Sequence, residues 1–125
     1  MSDESHRSLS GWKYISLETY RRNGVAVRTP VWFAEADRVL YVYSLANAGK
    51  VKRIRTNPGV RVAPCDLRGN LQGDWLEAEA RVVDGDEEKR GHALLNQKYW
   101  PWKPMGDFFS RLRSRRQAIL VVRLL

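Results

Sequence analysis

The sequence predicts a mainly β protein, a small barrel of six antiparallel strands with short helices inserted. Three observations point there. Apolar residues recur with period two in short runs bounded by turn residues, the mark of half-buried strands. Arg22-Asn23-Gly24 separates the first two runs, and Asn-Gly readily adopts the positive φ that closes a hairpin. The chain has 125 residues, enough for one core and not two, so 1–125 reads as a single domain.

The elements follow in order. From Lys13 to Tyr20, Ile15, Leu17 and Thr19 alternate with Ser16 and Glu18. A second strand spans Val25 to Phe33, with Val25, Val27, Val31 and Phe33 on one face and Ala26, Arg28 and Trp32 on the other. Pro30 interrupts it, and a strand proline prefers an edge or a bulge. Glu35-Ala36-Asp37 turns the chain into Arg38–Ser44, rich in β-branched and aromatic residues. These three strands read as a meander. Asn47 is placed to cap a helix starting at Ala48, and Asn57-Pro58-Gly59 ends that helix. Val60–Cys65 is a fourth strand, Asp66–Asp74 a polar loop, and Trp75–Val83 a fifth strand with Leu76, Ala78, Ala80 and Val82 inward. The acids of Asp84–Glu88 suit the positive end of a second helix, which reaches Tyr99. Trp100-Pro101-Trp102-Lys103-Pro104 breaks it. A short basic helix is expected over Phe108–Arg113, and Ala118–Leu124 closes the chain as a sixth strand.

Hydrophobic residues at 43% and charged residues at 29% describe neither a disordered tail nor a membrane-spanning chain. Residues 1–10 (MSDESHRSLS) are polar, expected to be flexible, and carry no signal-peptide core. The expected location is the cytoplasm, which suits one unpaired cysteine. Cys65 alone forms no disulfide within the chain, and with only His6 and His92 no metal site is expected. The unusual quantity is charge: 22 Lys plus Arg against 14 Asp plus Glu, a net +8. That balance suggests an anionic partner, whether nucleic acid, a membrane surface or a phosphorylated small molecule.

Position narrows the choice. Lys50, Lys52, Arg53, Arg55 and Arg61 are dense, and no acid lies between Asp37 and Asp66. The ordinary reading of a charge run is a solvated helix face. Here the run starts in the first turn of a helix, where free N–H groups favour an anion, and directly follows a strand end. A phosphate site is at least an equal reading. Aromatic residues are not interleaved with these cations as a stacking platform requires, which weighs against nucleic acid. Thr29-Pro30-Val31-Trp32-Phe33 is either barrel packing or a flat wall for an aromatic ring. Tyr99-Trp100-Pro101-Trp102 is either an interface or packing over a barrel end. Cys65 reads as a buried, inert thiol and His92 as a packing residue. No phosphate loop, dinucleotide fingerprint, zinc-protease motif, catalytic triad or carboxylate pair is present, so no catalytic residue is assigned. A reactive centre would come from a cofactor.

The segments YISLETYRRNG (14–24), VAVRTPVWFAEADRVLYVYS (25–44), AGKVKRIRTNPGVRVAPCDLRGNLQG (48–73) and ARVVDGDE (80–87) together resemble the pyridoxamine 5'-phosphate oxidase-like FMN-binding split barrels. Within them the chain is most similar to the coenzyme F420-dependent (deazaflavin) subgroup, through its TPVWF strand, its GKVKR helix start and the NP and APC that follow. The match covers about residues 12–87 well and the C-terminal third in outline. The resemblance implies a homodimer of six-stranded split barrels with cofactor sites at the subunit interface, no membrane, and hydride transfer between F420 and a small molecule. FMN is the alternative cofactor. It implies that the phosphate rests on Lys50, Lys52 and Arg53, with Val51 between them and Ser44 in reach. It implies a ring lying along Thr29, Pro30, Val31 and Trp32, with Trp100 and Trp102 closing the site from the neighbouring subunit. True pyridoxamine-phosphate oxidases are longer and carry a C-terminal substrate-binding segment that this chain does not match.

Overall fold

The computed structural model describes residues 9, 11–99 and 117–125. Among them are β1 (Tyr14–Tyr20), β2 (Ala26–Ala36), β3 (Val39–Leu45), α1 (Gly49–Thr56), β4 (Gly59–Cys65), β5 (Leu76–Val83), α2 (Gly85–Tyr99) and β6 (Gln117–Leu124). The strands close into one antiparallel barrel in the order β1-β2-β3-β6-β5-β4, with β4 returning to β1. The calls on residues 1–8, Trp100, Trp102, the Phe108–Arg113 helix and Arg111, Arg113, Arg115 and Arg116 lie outside the described residues.

The register explains how a closed barrel holds a mid-strand proline. β2 pairs with β1 over residues 26–32 and with β3 only from Phe33 onward. Pro30 therefore sits where the strand has one ladder, opposite Ser16, and its missing N–H breaks no second ladder. β2 runs three residues past the expected end. The turn falls at Asp37-Arg38, both at positive φ (54° and 67°), the twist that suits a two-residue hairpin. Val25 lies outside the strand and is exposed, because the Asn23-Gly24 turn takes it out of the ladder.

Inward residues of all six strands build the main core, including Ile15, Leu17, Val31, Phe33, Leu40, Val42, Val62, Ala80 and Leu120. Full burial of such a side chain is worth about 1.5–3 kcal/mol. Val51 and Ile54 of α1 join this core, so α1 acts as a plug at one mouth of the barrel. A second cluster forms outside the barrel, where Leu95 and Tyr99 of α2 cover Ala34, Tyr41, Ile119 and Val121. The Tyr99 hydroxyl accepts the Phe33 N–H at 3.1 Å and faces the carbonyl oxygens of Lys13 and Phe33, tying the end of α2 to the sheet.

Candidate functional site

The mouth plugged by α1 carries Lys50, Lys52, Arg53 and Arg55 on that one helix. The helix opens on Ala48, not Asn47, and Ala48 has no side-chain oxygen to cap it. The donors of the first turn therefore lack the cap that the sequence suggested. Arg53 folds back across this turn. Its Nε donates to Thr19 Oγ1 at 2.7 Å. A Cβ at Gly49 would stand 2.7 Å from Arg53 Nη1, so glycine provides the cradle in which the guanidinium lies. Lys50 is half-buried, and burial first, then the Arg53 charge, pushes its pKa below the usual lysine value. Burial, then Arg21, pushes Arg53 down likewise. Lys52 is exposed.

Lys52 and Arg53 face Arg21 and Arg22 of the β1–β2 turn across an open cleft of about 460 Å³, completed by Tyr20 and Thr56. None of Arg21, Arg22, Lys50, Lys52 and Arg53 pairs with a carboxylate among the described residues. Arg21 and Arg22 are the residues that sequence reasoning missed. Their backbone belongs to the turn, with the Arg21 carbonyl accepting from Gly24 N–H at 2.8 Å, and that hid the exposed cationic side chains it carries.

The other expected site residues are divided by strand parity. Val51 is in the core, and its N–H already donates to Ala48 at 3.1 Å. Ser44 is buried, its hydroxyl donating to the Leu45 carbonyl at 3.1 Å. Thr29 and Val31 pair with Leu17 and Ile15 and share their inward side. Pro30 and Trp32 point outward; Pro30 is exposed and Trp32 half-buried. The Trp32 ring stacks on Tyr99 at 5.2 Å and tilts against Tyr43 at 5.9 Å. Trp32 pairs with Tyr14, five residues along β1 from Thr19. At about 3.4 Å per residue that is roughly 17 Å, so Trp32 and Arg53 lie at different ends of β1.

Two further basic residues have a different fate. Arg61, expected in the phosphate cluster, and Arg28 both turn to Glu18 on the outer barrel wall. Arg28 Nε donates to Oε2 and Arg61 Nε to Oε1, each at 2.7 Å, and Tyr20 donates to Oε1 at 2.5 Å. Both guanidinium groups lie over the Trp75 ring, at 4.8 and 5.0 Å. Burial raises the Glu18 pKa, but the hydrogen bonds from Arg61, Tyr20 and Arg28 outweigh it and hold the carboxyl at about 2. At the opposite end of the barrel, Lys98 Nζ is buried 3.5 Å from the Phe33 ring centre without a hydrogen-bond partner, and burial lowers its pKa to about 8.

Cys65 is buried, with its thiol pushed up by burial and by Asp66. His92 meets Glu88 at 3.6 Å and Tyr43 edge-on. No group of three metal-binding side chains occurs among the described residues, and no described helix is long and apolar enough to cross a membrane.

No family model and no curated protein matches the chain in sequence. Solved structures do. A provisional pyridoxamine 5'-phosphate oxidase from Listeria innocua superposes with a TM-score of 0.68 at 13% identity, over 98% of this chain and 92% of that one. An F420 reductase gives 0.56 at 25% identity, over 90% and 86%. An FAD-binding protein from Mesorhizobium loti gives 0.63 at 18%, over 99% and 90%. Proteins named for heme binding and heme storage share the architecture as well. The chain is thus a closed six-stranded barrel with the fold of the pyridoxamine 5'-phosphate oxidase-like split barrels.

Proposed function

We propose that the chain is an oxidoreductase that holds the phosphate of a deazaflavin or flavin cofactor at the α1 mouth, with F420 the first choice and FMN the alternative. The observation that carries this reading is the cleft of Arg21, Arg22, Lys52 and Arg53, none of which pairs with a carboxylate among the described residues, with Lys50 near enough to feel the Arg53 charge. Four cations facing one another without a counter-ion among the described residues fit a phosphate-bearing group, which would relieve their mutual repulsion. When bound, such a cofactor supplies the hydride to be transferred. The chain's own part is to bind and orient. Lys52 and Arg53 meet the phosphate, Thr19 and Gly49 fix the Arg53 guanidinium, and Lys50 adds charge from below. No side chain is given the role of acid or base.

A homodimer is part of this reading, with Pro30 and Trp32 facing outward on β2, where a second copy would close over the ring. The substrate would be a small molecule entering between the copies. Titration of the purified protein with F420 and with FMN, followed by fluorescence, tests the proposal. Saturable binding of either supports it, with the tighter ligand naming the cofactor. Binding of neither, or a heme absorption band in the protein as purified, would remove it.

A further inference from the structure

We propose that the barrel end away from α1 carries a separate ligand site, a small pocket for an organic cation: a single-ring or short alkyl body ending in an ammonium group. The inference stands apart from the cofactor reading and uses none of its residues.

The pocket holds about 210 Å³ and lies between the chain leading into β1 and the loop joining β4 to β5. Pro64 on its wall pairs with Ile15. Ile15 is four residues along β1 from Thr19, so the pocket stands about 14 Å from the α1 mouth. Both walls are fixed. Leu9 is buried in the main core, and its N–H donates to Glu35 Oε1 at 2.8 Å. Trp12 N–H donates back to the Leu9 carbonyl at 3.0 Å. On the other side, Asp66 gathers the loop, its Oδ1 accepting the Arg68 and Asn70 N–H groups, each at 2.9 Å. Gln72 N–H donates to the Pro64 carbonyl at 2.7 Å. A Cβ at Gly73 would stand 2.8 Å from Pro64 Cγ, so the loop lies directly on the strand. A pocket whose walls are held before a ligand arrives loses little ordering entropy on binding.

The lining sets the ligand class. Leu9, Trp12, Pro64 and Leu76 offer apolar surface, and Trp12 is exposed. Asp74 is the one charged residue among the described residues of the lining. Glu18, Asp37, Glu79 and Glu87 each meet an arginine, in a chain of net +8. Asp74 makes no hydrogen bond or ion pair among the described residues. An aromatic face beside an unpaired carboxylate suits an ammonium group, because the ring quadrupole and the negative charge both attract it. A neutral or anionic ligand would leave the carboxylate unpaired. Size limits the body. A volume of about 210 Å³ is that of roughly seven waters at about 30 Å³ each, which admits one ring with a short tail and not a nucleotide.

The test uses three probes with one body and different charge: phenethylamine, 2-phenylethanol and phenylacetate. Each is titrated into the protein without added cofactor, following the indole N–H resonances by NMR, with the Trp12 resonance assigned by its loss in Trp12→Phe. The expected result is a saturable shift of the Trp12 resonance with phenethylamine, about fivefold tighter than with phenylethanol, and no binding of phenylacetate. Asp74→Asn should keep the melting temperature and bring the amine to within about twofold of the alcohol. No saturable shift with the amine, equal affinity for amine and alcohol, or an amine preference that survives Asp74→Asn would each overturn the site. A shift confined to other tryptophans would place the amine elsewhere and overturn it as well. None of the probes carries a phosphate, so failure here leaves the α1 reading standing, and failure of F420 and FMN to bind leaves this one.

Discussion

Two groups of arginines lie within one strand row of each other and behave in opposite ways. On the outer wall, Arg28 and Arg61 flank Glu18, share its two oxygens and stack on Trp75. At the mouth, Arg21, Arg22 and Arg53 face one another with Lys52 and find no acid among the described residues. Both groups contribute to the same +8. The wall arginines hold the fold and are closed to a ligand. The mouth arginines hold little of the fold and are open to one. A basic cluster becomes a site when no acid is placed to neutralise it, and that depends on strand parity: Glu18 and Thr19 are neighbours in sequence but face opposite sides of β1.

The largest expected effect is on the wall. Glu18→Gln removes the charge and leaves two arginines around a neutral amide. Breaking a buried pair from one side costs about 3–5 kcal/mol, read as a drop in chemical-denaturation stability. The same carboxyl sets an acid limb. Its pKa is about 2 when folded against 4.5 as a free side chain. A lowered carboxylate pKa stabilises the fold fully above pH 4.5, and that contribution fades as pH falls from 4.5 towards 2. Wild-type stability should decline across this window, and the Gln variant should lose that part of the decline.

At the mouth the pattern reverses. Lys50→Ala with Lys52→Ala should weaken FMN or F420 binding by roughly a hundredfold, since a hydrogen bond to a charged group is worth about 1.5–3 kcal/mol. The melting temperature should stay within a degree or two of wild type. Unchanged affinity would move the phosphate away from α1, and a collapse in stability would make the mouth a second structural network like the wall.

The smallest effect sharpens the geometry. Gly49→Ala places a Cβ where Arg53 Nη1 now lies, and the flexible guanidinium must shift. Cofactor affinity should fall a few-fold, without loss of stability, because alanine favours a helix over glycine by up to about 1 kcal/mol. Unaltered affinity would mean that Arg53's resting place is immaterial to the ligand.

Much of the fold was legible because it rests on local signals. Period-two alternation, the Asn-Gly turn and the Asn57-Pro58-Gly59 stop place all six strands and both described helices within a few residues. The candidate site was legible in part. Lys52 and Arg53 line the cleft, and Lys50 is half-buried near Arg53 on the same helix start. Val51 is in the core because the same helix must plug the barrel. The rest depends on pairings between distant residues. Alternation puts Glu18 on the polar side of β1, yet that side is covered by Arg28, Arg61 and Trp75, up to 57 residues away. Arg61 looked like a member of the phosphate cluster because sequence proximity to Arg55 does not reveal that β4 carries it onto the wall. Arg21 and Arg22 looked like turn residues because α1, which makes them one side of a cleft, begins more than 25 residues later.

The most direct test of the account is a crystal structure of the protein soaked with F420 or FMN. The account predicts the cofactor phosphate within hydrogen-bonding distance, about 2.7–3.1 Å, of Lys52 and Arg53 at the α1 mouth, with the Glu18 network undisturbed. A phosphate bound elsewhere, or one drawing Arg28 and Arg61 away from Glu18 while the mouth stays empty, would contradict it.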